Sequence, residues 1–353
     1  MEMDSIELGV DTFGDVTVGA DGQQLSQAQT LRNVVEQGVL ADQVGLHFIG
    51  LGEHHRPDFA ISAPEVVAAA IAARTSGIRI GTAVTVLSTD DPVRVFQRFS
   101  TINAISSGRA EVIVGRGSFT ESFPLFGYDL SLYEQLFEEK LNLWVELLKG
   151  EPVSWNGRLR SGLQEQKVYP PSESGTLTTW VAVGGSPESV VRAAFYGLPL
   201  MLAIIGGNPA RFRPWVDLYH ERLQRFNKPQ RPVGVHSPGH IAATDEQAKE
   251  ELFPHHLAMM NRIGAERGWP PSGRREFEHA AGPEGALYVG SPQTVAAKIA
   301  ATVKTLGLTR FDLKYSNGTL PHELQMKSIE LYGTKVVPMV RELLAEEGLR
   351  AKA

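Results

Sequence analysis

The chain has 353 residues, 42% of them hydrophobic and 21% charged, which is length and apolar content enough for a large core. Its 34 basic and 40 acidic residues are mixed along the chain to a net charge of −6, so no basic stripe competes for a nucleic-acid backbone. There is no cysteine, which excludes disulfides, thiolate metal sites, iron–sulfur clusters and a cysteine nucleophile.

Apolar runs alternate with segments of helical period along the whole chain. The first run, residues 6–13, is followed by a glycine-rich loop, a helix over 26–44 and a short strand at Phe48–Leu51. A helix after Pro64 leads to a strand at 78–84, a helix from Pro92 and a strand at 111–114. An amphipathic helix over 132–148 precedes the fifth strand at 180–183 and the sixth at 200–204, with helices entered at Pro187 and Pro209. The seventh strand falls within 233–243, and its helix begins at the Thr244-Asp245 cap signal. A helix from Pro292 feeds the eighth strand at 311–314, and a last helix closes the chain.

Proline at five helix starts fits its fixed φ and missing N–H. Short apolar strands without alternation predict a parallel sheet covered on both faces, and eight such βα units predict a closed (β/α)8 TIM barrel. Such barrels exceed ~250 residues as one unit, so residues 1–353 are expected to form one domain. Insertions are expected between strands four and five, at 154–179, and between strands seven and eight, where 266–287 reads as a loop rich in Pro, Gly and charge. An open dinucleotide-binding sheet would carry G-x-G-x-x-G after its first strand, a position held here by Phe13-Gly14-Asp15-Val16-Thr17-Val18. The first ten residues lack the basic and apolar segments of a signal peptide, and no apolar run approaches the ~20 residues of a membrane span, so a cytoplasmic location is expected.

In a barrel of this kind the active site forms at the C-terminal strand ends. After strand five, Gly184-Gly185-Ser186-Pro187-Glu188-Ser189 places a bare backbone, two hydroxyls and a helix N-terminus together, a candidate phosphate cradle with Arg116 as countercharge. Its plain alternative is a capped helix after a tight turn. Gly206-Gly207 at the next strand end leaves further room for a bulky group. After strand two, Glu53-His54-His55 is unusually polar. Adjacent histidines on extended backbone point to opposite faces, so one of them reaches the mouth, as a neutral donor or general acid. A metal site that adds His236 or His240 is the rival reading. Met259-Met260 and Phe96, Phe99, Phe137 and Trp144 stand at helical spacing and read as core.

Gly52-Glu53-His54-His55, the run 80–87, Asp91-Pro92-Val93-Arg94 and Ser107-Gly108-Arg109 stand in order along the chain. Gly115-Arg116-Gly117, Phe126-Gly127, Val183-Gly184-Gly185-Ser186, Gly197-Leu198-Pro199 and Val289-Gly290-Ser291-Pro292 continue the series. Together they resemble the bacterial luciferase-like flavin oxidoreductase family over nearly the whole chain. The resemblance implies a monooxygenase that uses reduced FMN and O2, through a flavin C4a-peroxide, on a small organic substrate. It also implies a separate NAD(P)H:flavin reductase and a homodimer. His54 is similar to the family's catalytic histidine. Arg116, Ser186 and Ser189 match its phosphate-holding positions, and Ala83-Val84-Thr85 matches a segment under the flavin with a non-proline cis peptide. Gly184, Gly185, Gly206 and Gly207 complete the expected cofactor contacts. The chain has Gly115 where luciferase has a cysteine, and Gly185 and Glu134 where luciferase has an acid and an arginine, so light emission is not implied. A deazaflavin-dependent dehydrogenase or reductase of the same fold is the close alternative, and a metal-dependent hydrolase the more distant one.

Overall fold

The apolar runs become strands and the proline-led segments helices in the computed structural model, which describes residues 6–19, 21–173 and 175–350. The chain begins with β1 (Glu7–Thr12), α1 (Gln27–Gln43), β2 (Phe48–Leu51), α2 (Pro64–Ala72), β3 (Arg79–Thr82), β4 (Thr85–Val86) and α3 (Pro92–Ile105). It continues with β5 (Glu111–Gly115), α4 (Ser122–Phe126), α5 (Tyr133–Leu147), β6 (Val153–Trp155), β7 (Leu163–Gln166), β8 (Thr178–Val183), α6 (Pro187–Tyr196) and β9 (Leu200–Ala203). Then come α7 (Arg213–Arg225), β10 (Val233–Ile241), α8 (Asp245–Arg267), α9 (Arg274–Ala281), β11 (Tyr288–Gly290), α10 (Pro292–Leu306), β12 (Arg310–Lys314), α11 (His322–Leu331) and α12 (Val337–Arg350). Side chains set these boundaries. Ser26, Asp91, Ser186, Thr244 and Ser291 each accept a backbone N–H in the first turn of the helix they precede. Gly197, Gly268 and Gly307 end theirs in the left-handed conformation.

The strands pair in parallel in the order β3-β2-β1-β12-β10-β9-β8-β5-β4, with β11 beside β10. Between β3 and β5 the sheet closes through a single bridge, Ile80 to Ala110. Closure there depends on one hydroxyl. Thr82 Oγ1, fully buried, donates to Ile113 O at 2.9 Å and accepts from Ile113 N at 3.1 Å, taking the place of a ladder strand. It also accepts from Thr85 Oγ1 at 3.2 Å, so its whole hydrogen-bonding capacity is used. Gly81 allows the approach, since a Cβ there would stand 2.5 Å from Glu111 O.

Inside the barrel the side chains form tiers. At the N-terminal end of the strands, Arg310 pairs with Glu111 (2.7 Å) and Asp312 (2.9 Å), and Arg79 with Glu111 (2.6 Å) and Glu7. Phe48, Ile113, Trp180 and Met201 pack above this plug. The larger apolar core lies outside the sheet, beneath the helices. Among the described residues no helix is long and apolar enough to cross a membrane.

Three expectations are corrected. The strand expected at 78–84 ends at Thr82 and resumes at Thr85, because a cis peptide at Ala83–Val84 turns the chain. The segment 266–287 is not a loop: α8 runs on to Arg267 and α9 occupies Arg274–Ala281, with Trp269, just beyond the Gly268 cap, folding back on Gly264. The insertion expected at 154–179 is present and carries a two-stranded antiparallel ribbon, β6–β7. Phe96, Phe99, Phe137 and Trp144 are core as expected, but Met259 and Met260 are only half-buried, on a helix that covers the barrel mouth.

Thr82→Val keeps the shape and removes both bonds from the hydroxyl to the Ile113 backbone. It is expected to lower the free energy of unfolding by about 2–4 kcal/mol in urea denaturation, with Thr82→Ser recovering most of that loss. Equal stability of the valine variant would show that the seam closes without the hydroxyl.

Candidate active site

The strand ends assemble one polar, aromatic mouth. His54 lies at the end of β2, its backbone N–H held by Ile61 O at 2.9 Å. Its ring is packed against Phe59 (4.5 Å), Phe13 (4.6 Å) and Phe119 (5.4 Å) between centroids. Burial lowers its pKa from 6.5 to about 3, against an opposing pull from Asp15. The imidazole is therefore neutral, a single N–H donor with no standing charge. His55 points the other way, as alternation demands. Its Nε2 meets Glu53 Oε1 at 3.0 Å and its ring lies edge-on to Phe126. Glu53 Oε2 accepts from Val86 N at 2.8 Å, and burial raises the Glu53 pKa. This carboxyl braces the chain just past the cis peptide. Glu53, His55, Thr85 and Phe126 line a separate cavity of about 250 Å³. Thr85 is thus directed toward the seam and this cavity.

The phosphate-cradle residues come together. Arg116 Nη2 donates to Ser189 Oγ at 3.1 Å, Ser186 Oγ donates to Ser189 Oγ at 2.7 Å, and Ser189 N donates to Ser186 Oγ at 3.3 Å. A Cβ at Gly184, Gly206 or Gly207 would meet no atom within 4 Å, and one at Gly185 nothing nearer than 3.5 Å. The backbone is bare there. Arg116 Nη1 is also paired with Glu134, whose other oxygen accepts from Arg192 Nη2 at 3.2 Å.

Three features escaped the sequence reading. His236 on β10 meets Asp11 on β1, Nδ1 to Oδ2 at 2.6 Å, and its ring stacks on Phe13 at 5.9 Å. Phe13 therefore stands between two imidazoles. A carboxylate inside the apolar run of β1 was the available signal, because a buried charge demands a partner. His240 belongs elsewhere, with Glu251 at 2.7 Å. Among the described residues no three His, Asp or Glu side chains are placed to hold a metal. Asp15 is the second feature, held by Lys314 Nζ (3.1 Å), Ser316 Oγ (2.5 Å) and Gly318 N (2.9 Å). The third is Arg56. It donates to Asp58 (3.1 Å), Glu121 (2.5 Å) and Glu266 (2.6 Å), which joins the β2 loop to α4 and to the end of α8. Arg56 and Arg267 lie over Phe119 at 4.4 and 5.1 Å, and Arg262 adds a bond to Asp58 at 2.7 Å.

The chain has relatives among known proteins. The family described as luciferase-like monooxygenase matches residues 12–310. The alkanal monooxygenase alpha chain of Photorhabdus luminescens is 28% identical over 224 residues, covering 61% of this chain, and the chain spans 59% of that relative's length. Among solved structures, the oxygenating constituent of 3,6-diketocamphane monooxygenase from Pseudomonas putida, in complex with FMN, superposes with a TM-score of 0.76 at 19% identity. That match covers 95% of this chain and 98% of the other. The coenzyme F420 dependent tetrahydromethanopterin reductase of Methanopyrus kandleri gives 0.70 at 18%, covering 95% and 99%. These two likenesses concern the fold.

Between pH 6.5 and about 3 the unfolded chain takes up a proton at position 54 that the folded chain refuses. Stability therefore falls with acidification, by at most about 1.4 kcal/mol per pH unit from this group. His54→Phe is expected to flatten the dependence of unfolding free energy on pH from 6 to 4 relative to the wild type. An unchanged slope would mean that the ring protonates freely in the folded protein.

Proposed function

Because the chain belongs to the luciferase-like monooxygenase family, a family of flavin-dependent oxidoreductases, we propose that it binds reduced FMN in the barrel mouth and uses it with O2 to oxygenate a small organic molecule. The observation that carries this reading is the convergence of Arg116, Ser186 and Ser189 beside the bare backbone of Gly184, Gly206 and Gly207. A guanidinium, two hydroxyls and a helix N-terminus suit a phosphate monoester. Gly185 and the Ala83–Val84 segment complete the walls of the cofactor site in this assignment, with Thr85 behind them at the seam.

Reduced flavin supplies the electrons and the reaction with oxygen, and the protein supplies position, dryness and protons. Phe13, Phe59 and Phe119 exclude water around His54. His54, the assigned catalytic residue, offers a neutral N–H donor. Being neutral, it is a poor store for a proton at physiological pH. Across Phe13 stands a second imidazole: Asp11 Oδ2 accepts from His236 Nδ1 and fixes its ring, while Nε2 has no partner among the described residues.

Three further assignments belong to the same proposal. Reduced flavin comes from a separate NAD(P)H:flavin reductase, the protein is cytoplasmic, and it forms a homodimer. Exposed Val66 on α2 and Ile105 on α3 support the last of these.

Titration of the apo-protein with FMN and with the deazaflavin F420 tests the reading. FMN is expected to bind more tightly, and Arg116→Ala to weaken it about 10- to 100-fold, the scale of a lost charge-assisted hydrogen bond. Preference for the deazaflavin would favour the hydride-transfer alternative, for which the likeness to the F420-dependent fold is the motive. Binding of neither would overturn the proposal. Glu134→Gln removes the carboxylate that competes for Arg116 and is expected to tighten FMN several-fold. His54→Ala is expected to leave FMN affinity within a few-fold and to lower turnover about 100-fold or more. Wild-type turnover in that variant would take His54 out of the mechanism.

A further inference from the structure

A second cavity lies on the other side of the mouth, between the ends of β9 and β10 and the hood made by α8 and α9. Its volume is about 180 Å³. Ile205, Gly206 and Pro238 form the strand side, and Leu257, Met260 and Phe277 the hood side. Ile205 is 65% exposed, an apolar side chain left largely uncovered by the described residues at a strand end. The wall is mostly apolar, and its polar side chains are His256, Ser272 and Glu276. His256 lines the cavity, and its Nδ1 is buried without a hydrogen-bond partner. Burial, with Lys314 adding to it, lowers the His256 pKa to about 4, so the ring is neutral. Glu276, also on the wall, is engaged: its Oε2 accepts from Gly273 N at 3.0 Å and its Oε1 from Arg275 Nε at 3.0 Å.

We propose that this cavity is the organic-substrate subsite, and that it takes a neutral, mostly apolar group about one ring in size with a single oxygen that hydrogen-bonds to His256. Size, polarity and charge each point there. A cavity of ~150 Å³ holds a benzene ring, so this one holds a ring with a short substituent. An unpaired ring nitrogen in an apolar wall costs free energy until a ligand pairs it, which favours one polar atom on the ligand at that point. A charged ligand would find no free countercharge, because His256 is neutral and Glu276 is already bonded, and desolvation would count against it. Gly206 is shared with the wall assigned to the cofactor, so the bound group would lie next to the bound cofactor.

This inference rests on the flavin reading for its chemistry, but its test does not. Binding of 4-fluoroacetophenone to the full-length protein is followed by fluorine NMR, with FMN affinity measured separately on the same samples. Saturable binding is expected, with 4-fluorobenzoate at least about tenfold weaker. Met260→Trp fills the cavity from the hood and is expected to abolish binding of the ketone, and Ile205→Trp does so from the strand side should the first variant not fold. His256→Phe is expected to weaken the ketone about three- to tenfold while leaving fluorobenzene unchanged, a difference that mere loss of packing would not produce. Absence of saturable binding, or ketone binding unaffected by either tryptophan, overturns the subsite. FMN affinity retained in those samples would leave the cofactor reading in place, whereas its loss from the wild type would sink that reading alone.

Discussion

A guanidinium taken wholly out of water costs several kcal/mol unless its partners are close and well aimed. Arg310, completely buried in the barrel, meets that condition with Glu111, Asp312 and the faces of Phe48 and Trp180, 3.7 and 5.0 Å from its central carbon. These partners come from β5, β12, β2 and β8, so the charge is satisfied only when distant strands have taken their register. Removing one partner would strand a buried charge, a loss of about 3–5 kcal/mol. The plug also closes the barrel at its N-terminal end. Chemistry is left one opening, at the C-terminal strand ends, where every candidate site residue stands.

At that opening two imidazoles receive opposite treatment from the same fold. His54 is wrapped in phenyl rings and kept neutral, whereas His236 is backed by a carboxylate. Phe13 touches both, and Lys314 lies 4.5 Å above its ring.

The βα order and the cradle were legible because their signals are local. Proline at N1, a hydroxyl at the N-cap and glycine at the C-cap act within one turn, and Ser186 and Ser189 sit on the helix their neighbours start. The cis peptide at Ala83–Val84 was foreseen from resemblance alone, since no local residue chemistry required it. What escaped is non-local. Asp11 and His236 lie 225 residues apart and meet only because β12 separates their strands in the sheet. Thr82 reads as an ordinary strand threonine until Ile113 is placed beside it. Residues 266–287 misled by composition: Pro, Gly and charge suggested a loop, but the charges pair, as Arg274 does with Glu278 at 2.9 Å one turn on, and Phe277 gives α9 an apolar contact on Phe253.

Arg56 gives the hood an unusual fastening. Its side chain is 10% exposed, but the carboxylates it grips, Glu121 and Glu266, are 37% and 44% exposed. Each bond at that boundary is one water can replace, and such pairs hold by about 0–1 kcal/mol. The cover over the mouth is therefore latched rather than sealed. Small ions enter the latch as readily as water does, and the screening distance shrinks to about 8 Å at physiological ionic strength. The strength of this fastening thus depends on the surrounding salt as well as on the protein.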